Sequence, residues 1–287
     1  KVREGIELCK KEGVDFLLAV GGGSVIDSCK AIGYGVANPW TDVWNFFLKT
    51  ETPKACLPVA AIPTIAASGS EMSNSCVITN EDGWLKRGSV KSDLCRPRFA
   101  LLNPRLTYSL PQYQTESGCV DILMHTMERY FVNIETMELT DSISESLMQT
   151  VIYNARILMK EPGNYNARAE VMWAGSLSHN GLTGCGTGGG DWACHQLQHE
   201  LGGLYDVAHG AGLAAVWGSW ARYVYQENPE RFAQFATNVF DIPCYSDFES
   251  TALAGIEAME DFFRSIQMPT NLHELGLDLT DQEIHEL

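Results

Sequence analysis

Apolar positions follow two different rhythms along the chain, and the change falls near residue 104. Before it, short runs rich in branched residues recur at 16–20, 57–62, 76–79 and 99–102, each bounded by Gly, Pro, Asn or Asp. Their continuous rather than alternating apolar character predicts buried parallel strands covered on both faces. In "KVREGIELCKKEG", Val2, Ile6, Leu8 and Cys9 form a loose helical stripe that leads into the first strand. A second helix is predicted from after Ser24 through Ala31 towards Gly35. Past "NPRLTYSLP" (103–111) the pattern becomes helical, punctuated by Gly, Pro and Asn, with no strand from about residue 114 on. Residues 141–164 read as one long helix with a Pro-Gly stop, and 167–181 as another. The expected fold class is therefore an α/β unit over 1–104 followed by an all-helical unit over 105–287. The first helix is already under way at residue 1 and no Met precedes it, so the front of the α/β unit is expected to be truncated.

Composition narrows the function classes. With 45% hydrophobic and 20% charged residues, the 287-residue chain is of ordinary globular type and long enough for two cores. A net charge of −16 argues against a nucleic-acid partner, because phosphate binding needs clustered Lys and Arg. Neither a signal peptide nor an apolar run long enough to span a bilayer is read in it, so a cytoplasmic protein with no membrane partner is expected. The nine cysteines are odd in number and form no C-x-x-C pair, which predicts reduced thiols rather than a disulfide framework or a zinc ribbon.

Three stretches carry candidate chemistry. "AVGGGSVIDSCKA" puts Gly21, Gly22, Gly23 and Ser24 between a strand and a helix. Backbone N–H groups there can approach an anion, and the helix N-terminus favours negative charge. The loop is neither a G-x-G-x-x-G fingerprint nor a P-loop, and a plain tight turn accounts for it equally well. "IPTIAASGSEMSN" offers the hydroxyls of Thr64, Ser68, Ser70 and Ser73, either as hydrogen-bond partners of a cofactor or as caps and turn formers. Finally, "DILMH" and "HQLQH" each place two potential ligands four residues apart, on one helix face: Asp121 with His125, and His195 with His199. His209 follows ten residues after His199, so three of the seven histidines lie within one short stretch. A carboxylate with imidazoles suits Fe(II), Zn(II) or another divalent ion. Spacing alone nominates the close pair His195 and His199, with His209 as third ligand or bystander.

Taken together, "GGGSVIDSCKA", "PTIAASGSEMS", "NPRLTYSLP", "DILMHTMERYF" and "DWACHQLQHELGGLYDVAHGAGLA" resemble the iron-containing (group III) alcohol dehydrogenases, close to their butanol dehydrogenase branch. The likeness runs over essentially the whole chain, with the motifs in family order. It implies a dinucleotide-binding α/β domain, then an all-helical domain that binds metal and substrate. It implies a divalent metal, Fe2+ ahead of Zn2+, held by Asp121, His125, His195 and His209, so that the first and third histidines of the cluster are ligands and His199 becomes a candidate proton relay. It further implies NAD or NADP held by Gly22, Gly23, Ser24, Thr64, Ser68 and Lys86, with Arg87 or Lys91 as alternatives to the lysine. The activity implied is hydride transfer between NAD(P)(H) and a primary alcohol or aldehyde, with a homodimer expected for a full-length chain. Family chains carry a preceding portion with a second glycine-rich turn, and a final helix beyond Leu287 is also expected. Two alternatives stand beside this reading: a catalytically silent metal-binding fragment, and a lyase like the dehydroquinate synthases, whose pattern has Glu where Asp121 stands.

Overall fold

A computed structural model describes residues 1–134 and 137–286; residues 135, 136 and 287, inside the expected helical unit, lie outside the described residues. The order is α1 (Val2–Glu12), β1 (Leu17–Gly21), α2 (Gly23–Ala37), β2 (Val59–Pro63), β3 (Val77–Asn80), β4 (Leu85–Gly88), then helices α3 (Gln112–Tyr130), α4 (Glu138–Lys160), α5 (Tyr165–His179), α6 (Ala193–Tyr205), α7 (His209–Val224), α8 (Pro229–Phe240), α9 (Phe248–Ser265) and α10 (Asp281–Glu286). Helix α1 ends on Gly13 at φ 66, whose N–H reaches back to the last carbonyls, a stop that only a residue tolerant of the left-handed region makes cheaply.

Strands β1 and β2 pair in parallel, Leu17 opposite Val59 through Gly21 opposite Pro63, around the crossover helix α2. Three expectations from the apolar runs need correction. Residues 99–102 form only an isolated parallel bridge, Ala100 with Ala61, carried by the Ala61 N–H to Phe99 O and the Leu101 N–H to Ala61 O; the pairing stops before Asn103-Pro104, whose proline has no N–H to continue it. Residues 76–79 do not join the parallel sheet: Val77–Asn80 pairs antiparallel with Leu85–Gly88. The link between them places Gly83 at φ 81 and Trp84 at φ 53, and the Asp82-Gly83 pair between apolar-containing runs is the hairpin signal. Nor is β1 covered on both faces, although β2 is, with Val59, Ala60 and Ala61 all buried. Leu18 and Val20 remain 51% and 54% exposed while Ala19 between them is fully buried, so β1 packs on α2 from one side only. Among the described residues no strand follows Gly88 apart from that bridge.

The two predicted long helices are present with shifted ends, Glu138–Lys160 and Tyr165–His179, as cap geometry rather than periodicity sets helix ends. One large core joins α3, α4, α5, α7, α8 and α9 through residues such as Ile122, Met148, Trp217, Phe235 and Phe263. Smaller cores lie around Tyr34, Phe46 and Cys95, and around Ala19, Ile26 and Ala61. Helix α3 is buried on every side from Thr115 to Tyr130, so any polar residue on it must find partners inside the protein. All nine cysteines are free. Among the described residues no helix is long and apolar enough to cross a membrane.

Candidate metal centre

Asp121 and His125 project from the same stripe of α3, and Glu128 continues that stripe at i+7. Helix α6 presents His195, Gln198 and His199 from consecutive turns. Asp206, the residue that caps its C-terminus, sits in the left-handed region at φ 52, after which the chain doubles back so that His209, the first residue of α7, faces the first turns of α6. Gly210 makes this approach possible, because a Cβ there would collide with the backbone carbonyl of Ser117 on α3.

Three ligand atoms, from Asp121, His195 and His209, lie within 4.8 Å of one another. Asp121 Oδ1 is their hub, 3.7 Å from His195 Nε2 and 3.6 Å from His209 Nε2. His125 stands beside the group with its Nδ1 3.4 Å from the same oxygen. His199 makes no such approach to Asp121 among the described residues; its ring lies 6.4 Å from that of His195 and 5.9 Å from that of His209. Asp121 Oδ1, His125 Nδ1 and His195 Nε2 are buried polar atoms with no hydrogen-bond partner. Buried polar atoms are rarely left so, and three of them converging from a carboxylate and two imidazoles fit a divalent cation.

Electrostatics follow from this crowding. Burial pushes the Asp121 carboxyl up, but His125, His195 and Lys86 more than offset it and hold the group below the usual carboxylate range. Burial lowers His195, yet Glu128 and Asp121 outweigh it and raise the imidazole to about 9. Burial, opposed by Asp121 but aided by His179, His195 and Arg129, drives His125 far below the usual histidine range. His199 is lowered to about 3 by burial and by the neighbouring Lys86, His195 and Arg87. This environment favours the neutral imidazole.

Sequence reasoning missed two residues of this centre. Glu128 accepts the backbone N–H of His195 at 3.0 Å through Oε1 and faces its Nδ1 at 2.5 Å through Oε2. Gln198 Oε1 accepts from His209 Nδ1. The i, i+4, i+7 stripe Asp121, His125, Glu128 was the available signal for the first. Beyond them Arg129 reaches the Nδ1 of His179 at 3.1 Å, and the His179 ring packs 4.1 Å from that of His125.

The glycine loop and the hydroxyl loop pack together at the start of α2. A Cβ on Gly23 would fall 2.5 Å from Ser68 Oγ, and the Thr64 N–H donates to Gly21 O at 3.0 Å. Gly22 has φ −82, so it needs no left-handed conformation, and a Cβ there would meet Ile65 at 2.8 Å. Ser24 is exposed, while Thr64 and Ser68 are half-buried. Ser70 and Ser73 have structural partners instead: Ser70 donates to Asp27, and Lys30 Nζ binds Ser73 O at 3.1 Å and Ser73 Oγ at 3.0 Å. The three basic residues on and after β4 diverge. Lys86 lies among Asp27, Asp121 and His199, with burial lowering its pKa against the pull of the two carboxylates. Arg87 pairs with Glu200 at 2.8 Å, and Lys91 lies over the Trp192 ring at 5.4 Å.

Comparison with known proteins gives this geometry a family. Residues 1–104 match the iron-containing alcohol dehydrogenases, and residues 115–285 match the C-terminal part of the Fe-containing alcohol dehydrogenase family. The chain is 38% identical to the probable NADH-dependent butanol dehydrogenase 1 of Bacillus subtilis over 284 residues, which cover 99% of this chain and 72% of that protein. It is 37% identical to NADH-dependent butanol dehydrogenase A of Clostridium acetobutylicum, over 96% of this chain and 70% of the relative. The crystal structure of NADH-dependent butanol dehydrogenase A from Thermotoga maritima superposes with a TM-score of 0.94 at 37% identity, over 99% of this chain and 70% of that one. With its paired ligand-bearing helices, its glycine loop and these relatives, the chain belongs to the iron-containing alcohol dehydrogenase family.

Proposed function

We propose that the protein is a metal-dependent oxidoreductase that transfers hydride between a nicotinamide cofactor and a primary alcohol or aldehyde, with butanol and butanal as representative substrates. The observation that carries this reading is the convergence of unpartnered Asp121 and histidine atoms beside Lys86, whose other neighbour Asp27 sits on the helix opened by the glycine loop. The names of the relatives favour NADH over NADPH, and the family name favours Fe2+ over Zn2+. In this reading Asp121, His125, His195 and His209 hold the metal. A bound divalent ion supplies Lewis acidity to the carbonyl or alkoxide oxygen. Gly22, Gly23 and Ser24 line the diphosphate at the N-terminus of α2, while Thr64, Ser68 and Lys86 bind nearer the reactive end of the cofactor. Residues 1–104 then serve as cofactor unit and 105–287 as metal and substrate unit.

NADH oxidation with butanal, measured on protein as prepared and after stripping by chelator, tests the function. Metal-dependent NADH consumption is the expected result; a protein that binds metal but oxidises no NADH or NADPH would leave the silent-fragment reading standing.

His199 lies one turn beyond His195 on α6, its ring 6.4 Å from that of His195 and 5.9 Å from that of His209. Being neutral, it relays a proton by accepting at one nitrogen and donating from the other. His199→Ala is expected to retain metal and lose about 10²-fold or more in turnover. The loss should be even across the neutral pH range, because no group titrating there has gone. Loss of metal in His199→Ala with retention in His195→Ala would reverse the ligand assignment.

A further inference from the structure

We propose that Glu128 is a positioning residue of the metal centre, whose carboxylate holds His195 in one rotamer and one protonation pattern so that Nε2 is presented towards Asp121. This rests on the reading of His195 as a metal ligand. The geometry is that of a clamp. Both carboxylate oxygens of Glu128 are directed at the same residue, Oε1 to the backbone N–H of His195 at 3.0 Å and Oε2 to its Nδ1 at 2.5 Å. Two contacts to one residue, one on its backbone and one on its ring, leave the imidazole little rotational freedom. An ionised carboxylate can only accept, so the Nδ1 it faces carries a hydrogen and Nε2 is the atom left for a metal.

The burial of Glu128 is otherwise hard to account for. It is 1% exposed and lies on a helix buried on every side. Its carboxylate sits at the first turn of α6, where Trp192 provides no side-chain cap; Asp191 Oδ1 accepts the Ala193 N–H at 2.8 Å and Glu128 accepts that of His195, and the helix dipole favours a negative charge there. His195 thus bridges two buried carboxylates, Asp121 on Nε2 and Glu128 on Nδ1. His209 differs: its Nδ1 is held by the neutral oxygen of Gln198, whose own Nε2 lacks a partner. The clamp on His195 is the charged one of the two. Carboxylate partners behind a metal-bound imidazole fix its tautomer and raise its basicity, and their loss typically lowers metal affinity about 10–100-fold.

The test titrates Co2+ into chelator-stripped protein and, separately, follows the histidine ring nitrogens by 15N NMR in the metal-free protein. Glu128→Gln is the informative variant. It is nearly isosteric, yet it has one acceptor oxygen for two donors, so its NH2 must face either the backbone N–H or the ring N–H. Glu128→Gln and Glu128→Ala are both expected to weaken Co2+ binding about 10–100-fold. Both should also shift the His195 ring-nitrogen resonances and abolish the strongly hydrogen-bonded Nδ1 proton, which a purely structural role would not do in a protein that stays folded by circular dichroism. Should Glu128→Ala fail to fold, the near-isosteric variant carries the test. Unchanged Co2+ affinity and unchanged His195 resonances in Glu128→Gln, with Co2+ binding lost in His195→Ala, would overturn the clamp and leave the ligand reading intact. Undiminished Co2+ binding in His195→Ala would overturn both.

Discussion

Asp121→Asn is expected to empty the centre of metal while leaving the chain folded. The substitution keeps shape and removes charge. In the native protein one oxygen, Asp121 Oδ1, stands 3.4 Å from His125 Nδ1, 3.7 Å from His195 Nε2 and 3.6 Å from His209 Nε2, so the amide would replace the only anion at the point where the imidazoles meet. In a set of one carboxylate with neutral imidazoles, the carboxylate is the ligand whose charge offsets the dication. The affinity loss should exceed the about 10–100-fold that follows loss of an outer partner, because Asp121 is a direct ligand in the proposed function. Metal content after dialysis and metal-dependent NADH oxidation measure it. An Asp121→Asn protein that retains one equivalent of metal would remove Asp121 from the ligand set. The same carboxyl has an effect on stability in the metal-free protein. Its folded-state pKa is depressed, so its contribution is present above the ordinary Asp value and is lost as pH falls through the lower folded-state value.

Gly210→Ala is expected to damage both stability and the site, from a single added methyl group. That methyl would fall inside contact distance of Ser117 O and lie 2.9 Å from Ser117 Oγ. The obstacle is backbone in the middle of a buried helix, which cannot swing aside as a side-chain tip would. Forcing α3 and α7 apart costs about 1–3 kcal/mol by the usual measure of overpacking. The displacement acts where it matters, since Ser117 is one turn before Asp121 and Gly210 directly follows His209. A lower Tm together with weaker metal binding is the expected pair of results. Gly163→Ala is the control, because nothing lies within 4 Å of a Cβ there. A Gly210→Ala protein with the Tm and metal affinity of the native chain would mean that the two helices have room to separate.

Local rules read some elements well. The glycine run before an apolar amphipathic stretch marked the β1–α2 turn, since strand, tight turn and helix each leave a local trace. The i, i+4 spacing of Asp121 and His125 correctly put both on one stripe, because helix geometry alone sets that relation. The 76–79 run misled: apolar character marks a strand but not its partner, and pairing with Leu85–Gly88 was decided by the Asp82-Gly83 turn. The open face of β1 was likewise invisible, since Leu18 and Val20 look identical in sequence whether or not anything covers them.

The sequence by itself determined that Asp121 and His125 share one helix face, that a helix follows the glycine run (it starts at Gly23, two residues before the expected start after Ser24), and that the candidate ligand side chains cluster in two stretches. These are consequences of periods of 2 and 3.6 residues and of backbone freedom at glycine, all local in range. Only the tertiary structure decided which members of those faces meet. His195 and His199 share one side of α6, and no spacing rule separates them; the approach of Asp121 to the first turn of α6 does. Lys86, Arg87 and Lys91 are equivalent as basic residues in the sequence; alternation along β4 sends Lys86 towards Asp121 and Arg87 to Glu200, while Lys91, past the end of β4, lies over Trp192. Glu128 and Gln198 acquire their partners across 67 and 11 residues of chain, through helix packing that no local pattern encodes. The reason is the same in each case: periodicity sets the direction in which a side chain leaves its own element, and close packing between elements sets what it finds there.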